Sequence, residues 1–107
     1  MLDTVAADPA RPYDLAGLAA LAGVSARHLG RLFRSELGIT PAVYLDRVRV
    51  EAAQDLLERG DDTLDVVARR VGFGSPETMR RAFVRELGVT PGAYRSRFRT
   101  TGINPTP

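Results

Sequence analysis

Three observations predict an all-α chain, built as two helix-turn-helix subdomains joined by a long central helix, about seven helices in total. Apolar residues recur at i, i+3, i+4 and i+7, and no stretch alternates with the period of two that a half-buried strand needs. Ser, Thr or Asp stands before each apolar run and Gly after most of them, the start and stop marks of short helices. The chain also repeats itself. Residues 25–44 read SARHLGRLFRSELGITPAVY, and fifty positions on residues 75–94 read SPETMRRAFVRELGVTPGAY. The pairs Ser25/Ser75, Arg31/Arg81, Phe33/Phe83, Glu36/Glu86, Leu37/Leu87, Gly38/Gly88, Thr40/Thr90, Pro41/Pro91 and Tyr44/Tyr94 are identical. Two copies do not make a solenoid, which needs at least three. A duplicated small module suits a ligand that itself repeats, and duplex nucleic acid is the natural candidate.

The elements follow in order. A short helix is expected at about Leu2 to Ala7, cut off by Asp8-Pro9-Ala10-Arg11-Pro12. Asp14 caps a helix whose apolar stripe is Leu15, Leu18, Ala19 and Ala22; Thr63 caps its counterpart with Leu64, Val67, Ala68 and Val71. Turns at Gly23-Val24-Ser25 and Gly72-Phe73-Gly74-Ser75 follow, where Gly supplies the positive φ that ends a helix. Ser25 and Ser75 cap the next helices, with Leu29, Leu32, Phe33 and Leu37 inward in one and Met79, Ala82, Phe83 and Leu87 inward in the other. Thr40-Pro41 and Thr90-Pro91 are again cap plus first-turn proline. They open a long helix from Pro41 to Arg59, with Leu45, Val48, Ala52, Leu56 and Leu57 inward, and a short one from Pro91 to about Arg99. The organisation is therefore 1–40 first subdomain, 41–59 linker helix, 60–99 second subdomain and 100–107 a frayed tail.

Composition narrows the functional classes. A chain of 107 residues with 44% hydrophobic content supports one small domain or two very small ones with a shared spine. With no Cys there is no disulfide framework, no thiol catalysis and no Cys-bound zinc. No signal peptide and no membrane-length apolar run stands in the sequence, so a cytoplasmic setting without a membrane partner is expected. One His and scattered carboxylates leave no catalytic constellation, and neither an enzyme nor a cofactor is expected. All fifteen basic residues are Arg. Residues 1–66 carry 7 Arg against 11 acids, while residues 67–107 carry 8 Arg against 2.

Helix, Gly-containing turn, helix is the helix-turn-helix unit, whose second helix fits the major groove of duplex DNA. Ala19 and Ala68 suit a close helix crossing, and Val24 and Phe73 plug the corner. The outer face of the first reading helix then shows Arg27, Gly30, Arg31 and Arg34; the second shows Glu77, Arg80, Arg81 and Val84, with Arg85 beside them. Arg makes bidentate contacts with guanine O6 and N7. Glu77 can accept from cytosine N4 or orient Arg81 one turn later. Arg34, Arg85 and His28 are placed as phosphate contacts. Against this, Arg on a helix face is commonly just solvated; Arg31 and Arg81 stand out because both copies keep them while neighbours diverge. Arg69, Arg70, Arg97 and Arg99 read as solvated or phosphate-facing, and Arg47 and Arg49 are as well placed to pair with Glu51, Asp46 or Asp55 as to do anything specific.

The duplicated unit, with SxxxLxRxFxxxxGxTPxxY in the first copy and GFGSPETMRRAFVRELGVTPxxYR in the second, resembles the AraC/XylS family of transcriptional regulators over roughly residues 13 to 99. The second block is similar to the branch that carries an amidotransferase-like N-terminal domain. The resemblance implies seven helices, the third and sixth entering adjacent major grooves on one side of bent DNA. It implies base reading by Arg27, Gly30 and Arg31 in one groove and by Glu77, Thr78, Arg80 and Arg81 in the next. It places Ser25, Ser75 and the helix starts at Thr40 and Thr90 on phosphates. Gly30 departs from the polar residue often found there, and Pro76 and Glu77 depart from amide-type adenine readers. The family's usual N-terminal effector and dimerisation domain is missing, so the chain reads either as a piece of a longer regulator, which the near absence of a first helix favours, or as a stand-alone small member. By itself it is expected to be monomeric, with RNA polymerase as a further partner. The alternative is a mixed module, in which the acidic first subdomain docks on a protein such as the polymerase or its own effector domain.

Overall fold

The computed structural model describes residues 2–103, and the side chains of residues 4–98. Among the described residues seven helices follow one another: α1 Leu2–Ala7, α2 Leu15–Ala22, α3 Ala26–Leu37, α4 Pro41–Arg59, α5 Leu64–Arg70, α6 Pro76–Leu87 and α7 Pro91–Ile103. There is no strand among the described residues. The last helix runs beyond Arg99 into the segment expected to fray, passing Gly102 and ending at Ile103, two residues before Pro105. Residues 104–107 of that expected tail lie outside the described residues.

The helix starts are set by side-chain caps. Asp14 accepts from the Gly17 N–H at 2.7 Å, Ser25 from His28 at 3.1 Å, and Thr40 from Val43 at 3.2 Å. Thr63, Ser75 and Thr90 accept in the same way from Val66, Thr78 and Ala93. The two helix-turn-helix corners share one backbone solution. Gly23 at φ 71° and Gly72 at φ 98° end their helices in the left-handed region. The next residue then bonds back five positions, Val24 N–H to Ala19 O at 3.0 Å and Phe73 N–H to Ala68 O at 2.8 Å.

Two cores form, with no buried residue in common. Val5, Leu18, Ala19, Leu29, Phe33 and Leu45 make the first. Val50, Ala53, Leu57, Val67, Ala68, Val71, Phe73, Met79, Ala82 and Phe83 make the larger second. Both draw on α4, which is why its buried positions depart from a single stripe. Leu45 faces the first core, and Val50, about 140° further round the helix, faces the second. Val48, Ala52 and Leu56, expected inward, are only half-buried, while Val50 and Ala53 carry the burial.

The inner face of α3 is also narrower than its apolar spacing implies. Leu29 and Phe33, one turn apart, are buried, whereas Leu32 and Leu37 are 36% and 47% exposed. Leu32 lies about 100° round from Phe33 and passes the edge of the contact with α2 and α4. Leu87 on α6 and Leu15 on α2 are exposed likewise. An edge-on aromatic pair closes the junction in each half: Phe33–Tyr44 with centroids 5.5 Å apart and Phe83–Tyr94 at 6.1 Å.

Candidate nucleic-acid interface

The α3 face is built from residues that face away from Leu29 and Phe33. Arg27, Arg31 and Arg34 are exposed. No ion pair or side-chain hydrogen bond engages any of the three among the described residues. Beside them Gly30 has open space where a Cβ would be, with nothing within 4 Å. The three guanidiniums rim a concavity of about 580 Å³ whose apolar wall includes Leu15, Leu18, Pro41, Ala42 and Leu45. The face therefore carries three arginines without an ion-pair partner beside a relief in the surface, with Asp14 on the wall of the same concavity.

The α6 face is wired differently. Glu77 is bound by Arg80 through two bonds, Nε to Oε2 at 3.0 Å and Nη2 to Oε1 at 2.6 Å. Arg81 lies further off, at 3.9 Å from the same carboxylate. The partner of Glu77 is thus chiefly Arg80, one turn on at i+3, rather than Arg81. The Arg80 hydrogen bond holds the Glu77 carboxyl below its ordinary range and raises the Arg80 guanidinium. Thr78 shares a 3.0 Å hydroxyl contact with Ser75, so both are tied to the start of α6. Arg85 turns away to Asp46 at 2.5 Å, with Glu86 at 3.6 Å.

The remaining phosphate candidates stand at helix starts. Ser25, Thr40, Ser75 and Thr90 each use the side-chain oxygen as cap acceptor. The exposed His28 is the residue whose backbone N–H Ser25 caps. No group of three His, Cys, Asp or Glu side chains able to hold a metal exists among the described residues.

Pairing redistributes the charge that the halves of the sequence suggest. Arg69 pairs with Asp65 at 3.0 Å and Arg70 with Asp62 at 2.7 Å, so these two arginines are engaged locally. Asp46 and Arg47 on α4 reach Arg85 and Glu86 on α6, not each other's neighbours on α4. Of the acids counted in residues 1–66, Asp61, Asp62 and Asp65 belong structurally to the second subdomain. Residues 1–40 carry four Arg and four acids, and three of those Arg share the α3 face.

Two residues carry more than the sequence reading gave them. Arg49, for which pairing along α4 and a specific role stood equally open, donates to the carbonyls of Pro9 at 3.0 Å and Arg11 at 2.9 Å. Its burial pulls the guanidinium below its ordinary value, with Asp46 opposing. Arg95 stands at the repeat position of Leu45, and its Nε and Nη2 are shielded without a hydrogen-bond partner. Only the fifty-residue alignment, Leu45 against Arg95, marks that position in the sequence.

Two helix-turn-helix corners, each followed by a helix with a cationic face, define a DNA-binding domain of the helix-turn-helix class. Comparison with known proteins agrees. Residues 18–97 match the family described as a helix-turn-helix domain. The HTH-type transcriptional regulator Rv1931c of Mycobacterium tuberculosis is 48% identical over 65 residues, 61% of this chain and 25% of that protein. GlxA of Rhizobium meliloti is 39% identical over 66 residues, 62% of this chain and 20% of that protein. The DNA-binding domain of AdpA, solved in complex with a target DNA, superposes with a TM-score of 0.86 at 40% identity, covering 92% of this chain and 89% of that one. The chain belongs to the AraC/XylS family of transcriptional regulators and corresponds to its DNA-binding domain. It spans a quarter or less of the length of the two regulators compared above.

Proposed function

We propose that the chain reads a bipartite duplex site, α3 in one major groove and α6 in the next on the same side of the DNA. The observation that carries this is the set Arg27, Arg31 and Arg34, unpaired on one exposed face of a helix that a helix-turn-helix corner holds out. The molecule is 50 Å in its longest dimension, enough to span the ~34 Å of one duplex turn. Arg27, Gly30 and Arg31 read one half-site; Thr78, Arg81 and the Glu77–Arg80 pair read the other. Ser25, His28, Arg34, Thr40, Ser75 and Thr90 hold phosphates, which supply most of the affinity.

Within the whole regulator, in the cytoplasm, this reading makes the domain the operator-binding part of a protein that controls transcription, with RNA polymerase and an N-terminal effector domain as partners. The mixed-module alternative, with the first subdomain docked on protein, draws less support. Residues 1–40 carry only four acids, and just one of them, Glu36, stands on α3.

Selection from random duplexes tests the proposal. The expected site has two parts whose centres lie ~10 base pairs apart. Arg31→Ala costs ~1–3 kcal/mol and relaxes preference at one or two base pairs of one part only. An unchanged base preference in the Arg31→Ala selection refutes the readout assignment.

A further inference from the structure

The two cores share no buried residue, so the two reading helices belong to two small bodies threaded on one helix. The changeover on α4 falls between Val48, packed on the first core, and Val50, inside the second. Arg49 stands between them. α4 has no proline past its first residue and no glycine, so it curves only gently. Any freedom between the two bodies lies in how each packs on this spine, since no buried core residue couples them.

Arg49 supplies a second connection at that point. Its guanidinium donates to Pro9 O and Arg11 O, which lie in the segment joining α1 to α2 in the first subdomain. The same side chain and the same segment press on Gly72, the corner of the second helix-turn-helix. A Cβ at Gly72 would stand 2.5 Å from Pro9 O, 2.7 Å from Arg49 Nε and 3.0 Å from Ala10 Cα. Gly72 is therefore required twice, for its φ of 98° and for the absence of a side chain against the strap. Across α4 and α6, Arg47–Glu86 at 2.7 Å and Asp46–Arg85 at 2.5 Å brace the spine to the second reading helix from α4 positions adjoining Arg49.

We infer that Arg49, clamped between the Pro9–Arg11 strap and Gly72, is a positioning residue that fixes the angle between the two reading helices and so the half-site spacing the domain accepts. This rests on the two-groove reading above. One inserted base pair turns the second half-site by about 35° and moves it by about 3.4 Å. A domain with a fixed angle loses one set of contacts on that DNA; a domain free to swivel about α4 follows it.

The test uses one pair of half-sites from the selected sequence, set at the selected spacing and with one base pair added or removed. Binding is measured by fluorescence anisotropy for the wild-type chain, Arg49→Lys and Gly72→Ala. Arg49→Lys keeps the charge but loses the two-carbonyl fork, and Gly72→Ala displaces the strap directly. The wild type is expected to lose at least ~10-fold on either altered spacing, as for a broken base contact. Both variants, still melting cooperatively, should fall within ~3-fold across the three spacings while paying the wild-type penalty for a mutated base within either half-site. Variants that keep the steep wild-type profile overturn the role of Arg49 and leave the two-groove reading standing. A wild type indifferent to spacing overturns both.

Discussion

Replacing Glu77 by Gln keeps the shape of the side chain and removes the one carboxylate on the α6 reading face. In the native chain that carboxylate takes two bonds from Arg80 and lies 3.9 Å from Arg81, so one full negative charge offsets two cations on the face proposed to meet the duplex. Freed from it, Arg80 becomes available to a phosphate. Each added phosphate contact steepens the dependence of log K on log salt by about 0.9. Between 50 and 200 mM salt that single unit amounts to roughly a 3.5-fold additional loss of affinity. The gain appears at low salt on any sequence, so discrimination between the selected site and random duplex should fall as non-specific binding rises. Anisotropy titrations of both duplexes at four salt concentrations measure the slope and the ratio together. A slope equal to the wild type's, with the ratio intact, refutes the reasoning: Arg80 would then meet no phosphate even when released.

Two further outcomes follow from particular contacts. Arg85→Ala, which the sequence alone marks as a loss of phosphate binding, should leave the salt slope almost unchanged because Asp46 and Glu86 already engage the guanidinium. Its cost is expected in thermal stability, no more than ~1 kcal/mol for a half-exposed pair. The Tyr94 hydroxyl bonds to Glu58, and burial first, then that bond, raises its pKa above the ordinary 10.0. The folded chain then keeps a proton that the unfolded chain gives up, so stability is full below pH ~10 and declines as pH rises above it. Tyr94→Phe should lower stability at pH 7 and remove this contribution to the alkaline decline in chemical-denaturation curves taken from pH 8 to 11.

The helices were legible in the sequence because short-range signals define them. Asp14, Ser25, Thr40, Thr63, Ser75 and Thr90 are capping residues by chemistry alone, and all six accept the bonds expected of caps. The exposed sides of α3 and α6 were legible too, since Leu29 with Phe33 and Met79 with Phe83 set which side is turned in. What lay beyond the sequence was tertiary. The half-buried Val48, and the roles of Val50 and Ala53, depend on α4 serving two cores in succession. The partners of Arg47, Arg49 and Arg85 lie 38 to 40 positions away, where i,i+4 reasoning has no reach. Counting charge by halves of the chain misplaced the acids for the same reason. A count follows the chain, whereas Asp46 and Asp62 act where the fold takes them.

The unequal size of the two cores has a consequence for when each half-site is held. The first core has six buried residues and the second ten, with the second helped by the buried Val71 and Phe73 at its corner. Sub-global opening follows local burial, so the end carrying α1, α2 and α3 is the one that comes apart at lower free energy. The cationic α3 face therefore sits on the looser end, so on the proposed two-groove reading its half-site is met by the half that must be ordered the more. Warming is expected to loosen the α3 end before the α6 end, seen as earlier loss of amide-exchange protection in α2 and α3 than in α5 and α6.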